Sequence, residues 1–347
     1  ILPHNTIVDN IIIVVGLGAF VISVLQQNYS ANTLFKYAMV TALSLCSTLA
    51  SGQSVIIITV ITILAIRQLN FTTVICKLRI WSTWFLCVHS ICFALLYFMG
   101  QTQLFSTDGQ GRVRASFGFG HANSFSIYVF NIILMWTWEK YDELSWKNVF
   151  AVAVIDTVLF QLTDSKTFYF CALVFLLLLM VIRCKKLPVG WIIEAAKLIF
   201  PTLSLLFLSA YGLLLKGNLL TRTLDKALTG RITLGAYALQ KYGVSFMGQK
   251  LNFGSMTWTP EWQLNYFTLD CTYTSLWINI GWLWIIILIG CFFLIAQKGS
   301  IKTSVFIIMW ALYAISEVHG LDAYLCFPIL MISTLLDNKY KRESSKR

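Results

Sequence analysis

Residues 111 to 124 read Gly-Arg-Val-Arg-Ala-Ser-Phe-Gly-Phe-Gly-His-Ala-Asn-Ser. Arg112 and Arg114 precede a glycine-rich turn, and His121 and Asn123 stand where an apolar run begins. Polar groups at the mouth of a membrane helix are costly unless they bind something. Two guanidinium groups there point to an anionic ligand such as a phosphorylated lipid. Arg231 makes a second candidate. It follows Thr229-Gly230 and opens the best helical stretch of a basic segment that also carries Lys216, Arg222, Lys226, Lys241 and Lys250. An arginine beside free backbone N–H groups at a helix start can clasp a phosphate. Its planar fork makes two-point contacts that lysine cannot. Candidates for proton transfer are His121, Asp270, Glu317 and His319, with Asp164 and Asp322 on the same face. His121 has a plainer use, as a cap on the backbone of Asn123 or Ser124.

Membrane spans must position these residues. The 347-residue chain is 58% hydrophobic and 12% charged, with a mean hydropathy of +0.74. A soluble domain carries about 25% charged residues. The pattern predicts an all-α polytopic membrane protein with 11 spans, at 7–25, 35–50, 53–68, 80–99, 121–138, 149–163, 167–183, 197–215, 272–296, 303–317 and 320–336. The pair around Ser51-Gly52-Gln53 reads as a tight helical hairpin or as one re-entrant element. The tail 337–347 is basic and therefore cytoplasmic. Counting back places Arg67, Lys77, Arg79, Arg183, Lys185, Lys186, Lys298 and Lys302 inside, and residue 1 outside. One further span before Ile1, a twelfth, would return the N-terminus to the cytoplasm. A cleaved signal peptide is the other possibility.

Two outer loops follow from this topology. The first covers about 100–120. The second, 216–271, is long and predicted to be partly helical, with an amphipathic helix over Thr221–Tyr242. Trp258, Trp262, Tyr266 and Phe267 follow it, suited to the membrane interface or to a sugar face. A solvated basic surface held near anionic lipid is the plainer account of this loop. Asp156 falls mid-span and should face the interior and find a lysine or arginine partner. Glu317 and His319 lie in a short outer turn between the last two spans.

Other chemistries find little support. The nine cysteines include no Cys-x-x-Cys pair, and most lie within spans as small hydrophobes. No His-Glu-x-x-His occurs and no close aspartate pair, so no metal and no cofactor is expected. Gly109-Gln-Gly111 and Gly118-Phe-Gly120 follow no strand of a dinucleotide fold. Nucleic acid is not an expected partner. A lipid-linked oligosaccharide flippase or another transporter should show inverted repeats or helices broken at mid-membrane, and the sequence displays neither.

The ordered motifs resemble those of the O-antigen and capsule polymerase family, the Wzy type. Arg114-Ala-Ser116-Phe-Gly118-Phe119-Gly-His121-Ala-Asn123 looks like that family's Arg-x-Ser-x-Gly-Phe-x-His-x-Asn pattern, without the proline of the more usual His/Asn-Pro-Asn form. Thr229-Gly230-Arg231 with Phe246-Met-Gly248 looks like its second signature. Leu269-Asp270-Cys-Thr-Tyr273-Thr-Ser-Leu276, with Gly281 beyond, is similar to its third. The resemblance covers most of 80–296. It implies a metal-independent glycosyltransferase on the outer face of a bacterial cytoplasmic membrane, joining oligosaccharide repeat units carried on undecaprenyl diphosphate. Donor and acceptor lipids would be its partners, with membrane lipids, a chain-length regulator and a flippase around it. The related O-antigen ligases commonly have a histidine after the aspartate of the third motif. Tyr273 stands there instead, which favours polymerase over ligase. On this reading Arg112, Arg114, Asn123, Arg222, Arg231 and Tyr273 hold substrate, and His121, Asp270, Glu317 and His319 supply catalysis.

Overall fold

The computed structural model describes residues 16, 18, 19, 21–27, 29–107, 113–183, 188–259, 261, 262 and 264–336. Arg112 and the tail 337–347 lie outside these. The chain is mostly helical. Three helices are long and apolar enough to cross a membrane: α1 (Ala31–Ser51), α3 (Phe71–Phe98) and α7 (Val189–Leu215). Shorter apolar helices accompany them, so the protein is a helical membrane protein. Two compact units emerge. One holds Ile1–Ala19 and Leu69–Pro188, the other Phe20–Gln68 and Val189–Arg347.

In the first unit, α3 starts on an Asn70 cap that accepts from the Thr73 N–H. A two-stranded antiparallel ribbon follows, β1 (Phe105–Thr107) with β2 (Val113–Ala115), pairing Ser106 with Arg114. This is the first departure from an all-α chain. Helices α4 (Ala122–Glu139), α5 (Trp146–Thr163) and α6 (Lys166–Arg183) complete the unit. Arg79 of α3 pairs with Glu139 of α4 at 2.8 Å. Val149, Val152 and Leu176 form a core between α5 and α6. Asp156 is buried as expected. However, no lysine or arginine lines the small cavity it faces, and its Oδ2 has no hydrogen-bond partner among the described residues.

In the second unit, α1 and α2 (Val55–Ile66) form a hairpin. Gly52 turns it, at φ 72°, with its N–H on the Thr48 carbonyl. The helix predicted over Thr221–Tyr242 is two helices, α8 (Leu219–Ala227) and α9 (Arg231–Tyr242). Thr229 and Gly230, both at positive φ, break it, so the proposed apolar stripe is not one continuous face. A second ribbon, β3 (Gly254–Thr259) with β4 (Leu264–Phe267), packs on α9. Phe267 is buried there against Tyr237 and Tyr242, which removes it from the expected interfacial aromatics.

The span expected over 272–296 is also broken. A helical turn at Thr272–Thr274 runs into a π-helix, Ser275–Ile280, and only then into α10 (Leu283–Lys298). Gly281 sits at the break with φ 117°. A Cβ there would lie 2.5 Å from the Phe246 carbonyl oxygen, so only glycine fits. The strap Ser245–Gln249 uses that closeness. Trp282 N–H donates to Ser245 O, Leu283 N–H to Phe246 O and Gln249 N–H to Asn279 O. After α11 (Ile301–Tyr313), the segment expected as span 320–336 is 3-10 helix at Val318–Leu321 and Phe327–Leu336. It is not an α-helix. Pro328, which has no N–H to donate, is the second residue of the later piece.

Candidate functional site

The first unit holds the Arg114 motif. Arg114 is buried. Its Nε donates to the Thr163 carbonyl at 2.7 Å. Nη2 donates to Asn123 Oδ1 at 2.6 Å and to the Asp164 carbonyl at 3.3 Å. Those carbonyls end α5, and Asp164 is its left-handed C-cap. A guanidinium suits that negative helix end. Asn123 also accepts from Ser165 Oγ, so both motif residues tie β2 and the start of α4 to the α5–α6 turn. His121 takes the plainer of its two roles. It precedes α4, and its Nδ1 accepts from the Asn123 N–H at 3.2 Å. The glycine-rich turn carries an aromatic cluster. His89 Nε2 bonds the Phe117 carbonyl at 2.8 Å. Phe117, Phe119 and Phe125 lie within 5.6 Å of one another by ring centroids where paired. Residues 108–112, Arg112 included, lie outside the described region.

The second unit holds the Arg231 motif, and here several separate sequence candidates meet. Thr229 and Gly230 turn the chain so that Arg231 becomes the first residue of α9. Its Nη1 donates to the Leu228 carbonyl and to Thr229 Oγ1. Its Nη2 donates to the Ser316 carbonyl at 2.8 Å. Nε is buried and has no hydrogen-bond partner among the described residues. The expected free N–H groups of this helix start are occupied, however. Asp225 accepts from Ile232 N–H at 2.8 Å and Thr233 N–H at 3.0 Å. The carboxylate caps the positive helix end, so any anion at Arg231 must use the guanidinium itself.

Glu317 follows Ser316 directly. Helix α11 ends at Tyr313, so Glu317 lies in the turn beyond it. The residue is 7% exposed, and its Oε1 has no hydrogen-bond partner among the described residues. Burial pushes the carboxyl up from 4.5 to about 8; Arg231 opposes that rise and Asp270 adds to it. Glu317 is therefore protonated near neutral pH. Its backbone carbonyl accepts from Thr272 N–H at 3.1 Å and also from the Thr272 hydroxyl. That junction locks the third motif onto the Glu317 turn. The Gly320 N–H closes it at 3.1 Å on Thr272 Oγ1.

Asp270 is exposed beside this junction, with the Thr268 hydroxyl 3.3 Å from its Oδ1. His319 Nδ1 faces Asp322 Oδ2 at 3.6 Å, beyond hydrogen-bond length but within ionic contact. Both line a cavity of about 220 Å³ with Gln53, Ser54, Thr59 and Tyr324. Asp322, which sequence reasoning named only in passing, thus becomes the orienting partner of His319. The i, i+3 spacing was its one signal.

Tyr273 does not join them. It is fully buried, stacked against Phe200 and Phe207, and its hydroxyl donates to the Ala311 carbonyl at 2.8 Å. Its place is in the core, not at a substrate. Arg222 lies on the exposed face of α8 and lines a polar cleft of about 640 Å³ with Asp225, Lys226, Gln240, Glu261 and Trp262. Among the described residues no cluster of His, Cys, Asp and Glu can hold a metal.

Comparison of the chain with protein-family models, with curated proteins and with solved structures finds no match.

Proposed function

We propose that the protein is a membrane glycosyltransferase of the polysaccharide-polymerase type. It would join undecaprenyl-diphosphate-linked oligosaccharide repeat units at the outer face of a bacterial cytoplasmic membrane. The observation that carries this reading is the juxtaposition of Arg231 with Glu317. A cation with an unbonded N–H and a buried, protonated carboxyl stand together, with the His319–Asp322 pair two residues further on.

These parts suit the reaction. In glycosyl transfer from a lipid diphosphate, a bond forms between the acceptor hydroxyl oxygen and the donor's anomeric carbon. The bond from that carbon to the diphosphate oxygen breaks, and negative charge develops on the leaving group. Arg231 would stabilise this charge without a metal. Glu317, neutral at pH 7, supplies a proton to the departing oxygen. His319, whose Nδ1 lies 3.6 Å from Asp322 Oδ2, would act through Nε2 as base toward the acceptor hydroxyl. Burial is the main reason Glu317 stays protonated, and Asp270 adds a smaller push in the same direction. Arg222 and Trp262, in the polar cleft of the 216–271 loop, suit a sugar chain, Trp262 through its ring face. Arg114 and Asn123 hold the α5–α6 turn.

The 11-span topology, with 216–271 outside and the basic tail inside, belongs to the same proposal. An O-antigen-ligase-like transfer uses the same chemistry with a different acceptor. A flippase is the reading from another class. The break at Gly281 is the feature it would use, and it falls close to the middle of the expected span 272–296.

The test is incubation of purified protein with a defined undecaprenyl-diphosphate repeat unit. A ladder of products longer than one unit is the expected result. A single addition to a different acceptor would mean ligase. No product together with transbilayer movement of the unit would mean flippase.

A further inference from the structure

The second unit contains a cavity with a character unlike that of the candidate site. It measures about 270 Å³, and the surface it presents is apolar, although Lys36, Tyr37 and Thr59 are among its lining residues and the buried Trp284 Nε1 has no partner among the described residues. Ile56, Thr59 and Ile63 line it from α2, and Trp284, Leu288 and Cys291 from α10. These positions recur at three- and four-residue spacing, so each helix turns one face to the cavity along its length. From Ile56 to Leu64 helix α2 rises about 12 Å at 1.5 Å per residue, so the space is a slot along the helix axes. The 3-10 segment Phe327–Leu336 closes another side. Lys36 and Tyr37 stand at the end opposite the α1–α2 turn. An apolar cavity of about 150 Å³ already stays dry and takes up benzene; this one is larger.

The other end of the slot settles the orientation of a guest. Thr59 lines both this slot and the 220 Å³ cavity of His319 and Asp322. The Thr59 hydroxyl donates to the Leu321 carbonyl at 2.6 Å, so the shared wall carries no unmet polar group. Hydrocarbon below and polar side chains above match a molecule with an apolar tail and a polar head. We propose that the slot holds one hydrocarbon chain of a membrane lipid, with that lipid's head end at the His319–Asp322 cavity. The assignment of the head end to the outer face rests on the function proposed above. The slot itself does not.

The test uses the full chain in nanodiscs and two photoreactive lipids with a diazirine in the chain, undecaprenyl phosphate and phosphatidylglycerol. Crosslinked peptides are mapped by mass spectrometry. Label on peptides containing Ile63, Leu288 or Cys291 is the expected result. Displacement of that label by unlabelled undecaprenyl phosphate alone identifies the guest as a carrier lipid; displacement by phosphatidylglycerol alone identifies a bilayer lipid. Ile63→Trp and, separately, Cys291→Trp fill the slot and should abolish labelling while the protein still elutes as a single species. Labelling of membrane-facing helix surfaces only, or labelling unchanged in folded filling variants, overturns the proposal. No turnover is needed for the readout. A polymerising enzyme that fails to label therefore loses the slot alone, and a labelled protein without polymerase activity loses the functional reading alone.

Discussion

Arg114 and Arg231 look alike in the sequence, each beside a glycine-containing turn and shortly before or at a helix start, yet the fold uses them differently. Arg114 directs its guanidinium at the carbonyls that end α5 and at Asn123. It is a clamp on its own chain. Arg231 also makes backbone contacts, but its Nε remains unbonded, and the neighbouring group is the ionisable, buried Glu317. A buried N–H and a buried carboxyl oxygen without partners among the described residues are expensive to maintain for structure alone. The contrast separates an arginine committed to helix-terminal carbonyls from one beside a buried ionisable carboxyl, a distinction that charge and motif position do not make.

The largest expected effect follows from Arg231. Arg231→Lys keeps a charge but loses the planar fork. Turnover of a defined lipid-diphosphate repeat unit should fall by roughly 10²-fold or more, with normal abundance of the protein in the membrane. Polymer of ordinary length from cells carrying only this variant would make Arg231 a second clamp and end the contrast.

Arg114→Ala should act on the fold. It strips partners from two helix-terminal carbonyls and from Asn123, and hydrogen bonds to charged groups contribute about 1.5–3 kcal/mol each. Thermal unfolding of the purified variant should occur at clearly lower temperature, and its membrane abundance should drop. An Arg114→Ala protein of unchanged Tm but lost turnover would move this arginine to the substrate side.

Glu317 sharpens the comparison through pH. Its carboxyl ionises near 4.5 ordinarily and near 8 in the folded protein. Between these values the native state holds a proton that the unfolded state has released. The stabilisation is therefore complete below pH 4.5 and is lost as pH rises through 8. Glu317→Gln, a mimic of the neutral form, should remove that part of the pH dependence of Tm and leave stability at low pH little changed. Turnover should also fall above pH 8 in the parent protein, as the acid loses its proton. Identical Tm profiles for parent and variant would show that Glu317 ionises normally.

The smallest effect is expected at Lys250. It is exposed, and its stem runs past Gly52 at the α1–α2 turn. Lys250→Arg should change turnover and Tm within error. A loss comparable to that of Arg231→Lys would show that the basic loop acts as a diffuse field rather than through one arginine.

Much of the architecture could be read from residue order. Apolar runs marked the helices, and Ser51-Gly52-Gln53 marked a hairpin turn. Thr229-Gly230 marked the start of α9 at Arg231. Misreadings came where tertiary contacts override local pattern. The apolar run after Leu269 reads as one span, but Gly281 lets the Phe246 carbonyl approach where a helix would continue. Spacing across 221–242 suits one helix, while the left-handed pair Thr229 and Gly230 divides it. Tyr273 sits in a motif, yet Phe200, Phe207 and the Ala311 carbonyl enclose it.

By itself, the sequence determined that this is a helical membrane chain, because sustained apolar composition with few charges has no other stable home. It also determined which residues have the types for phosphate and proton chemistry. Tertiary structure decided which of them are free to act. Hydrogen-bond partners come from residues distant in sequence: Thr163 for Arg114 and Ser316 for Arg231. Burial, which raises the Glu317 carboxyl, depends on what packs around the turn after α11. Local composition carries propensity and charge; desolvation and partner geometry exist only once the chain has folded.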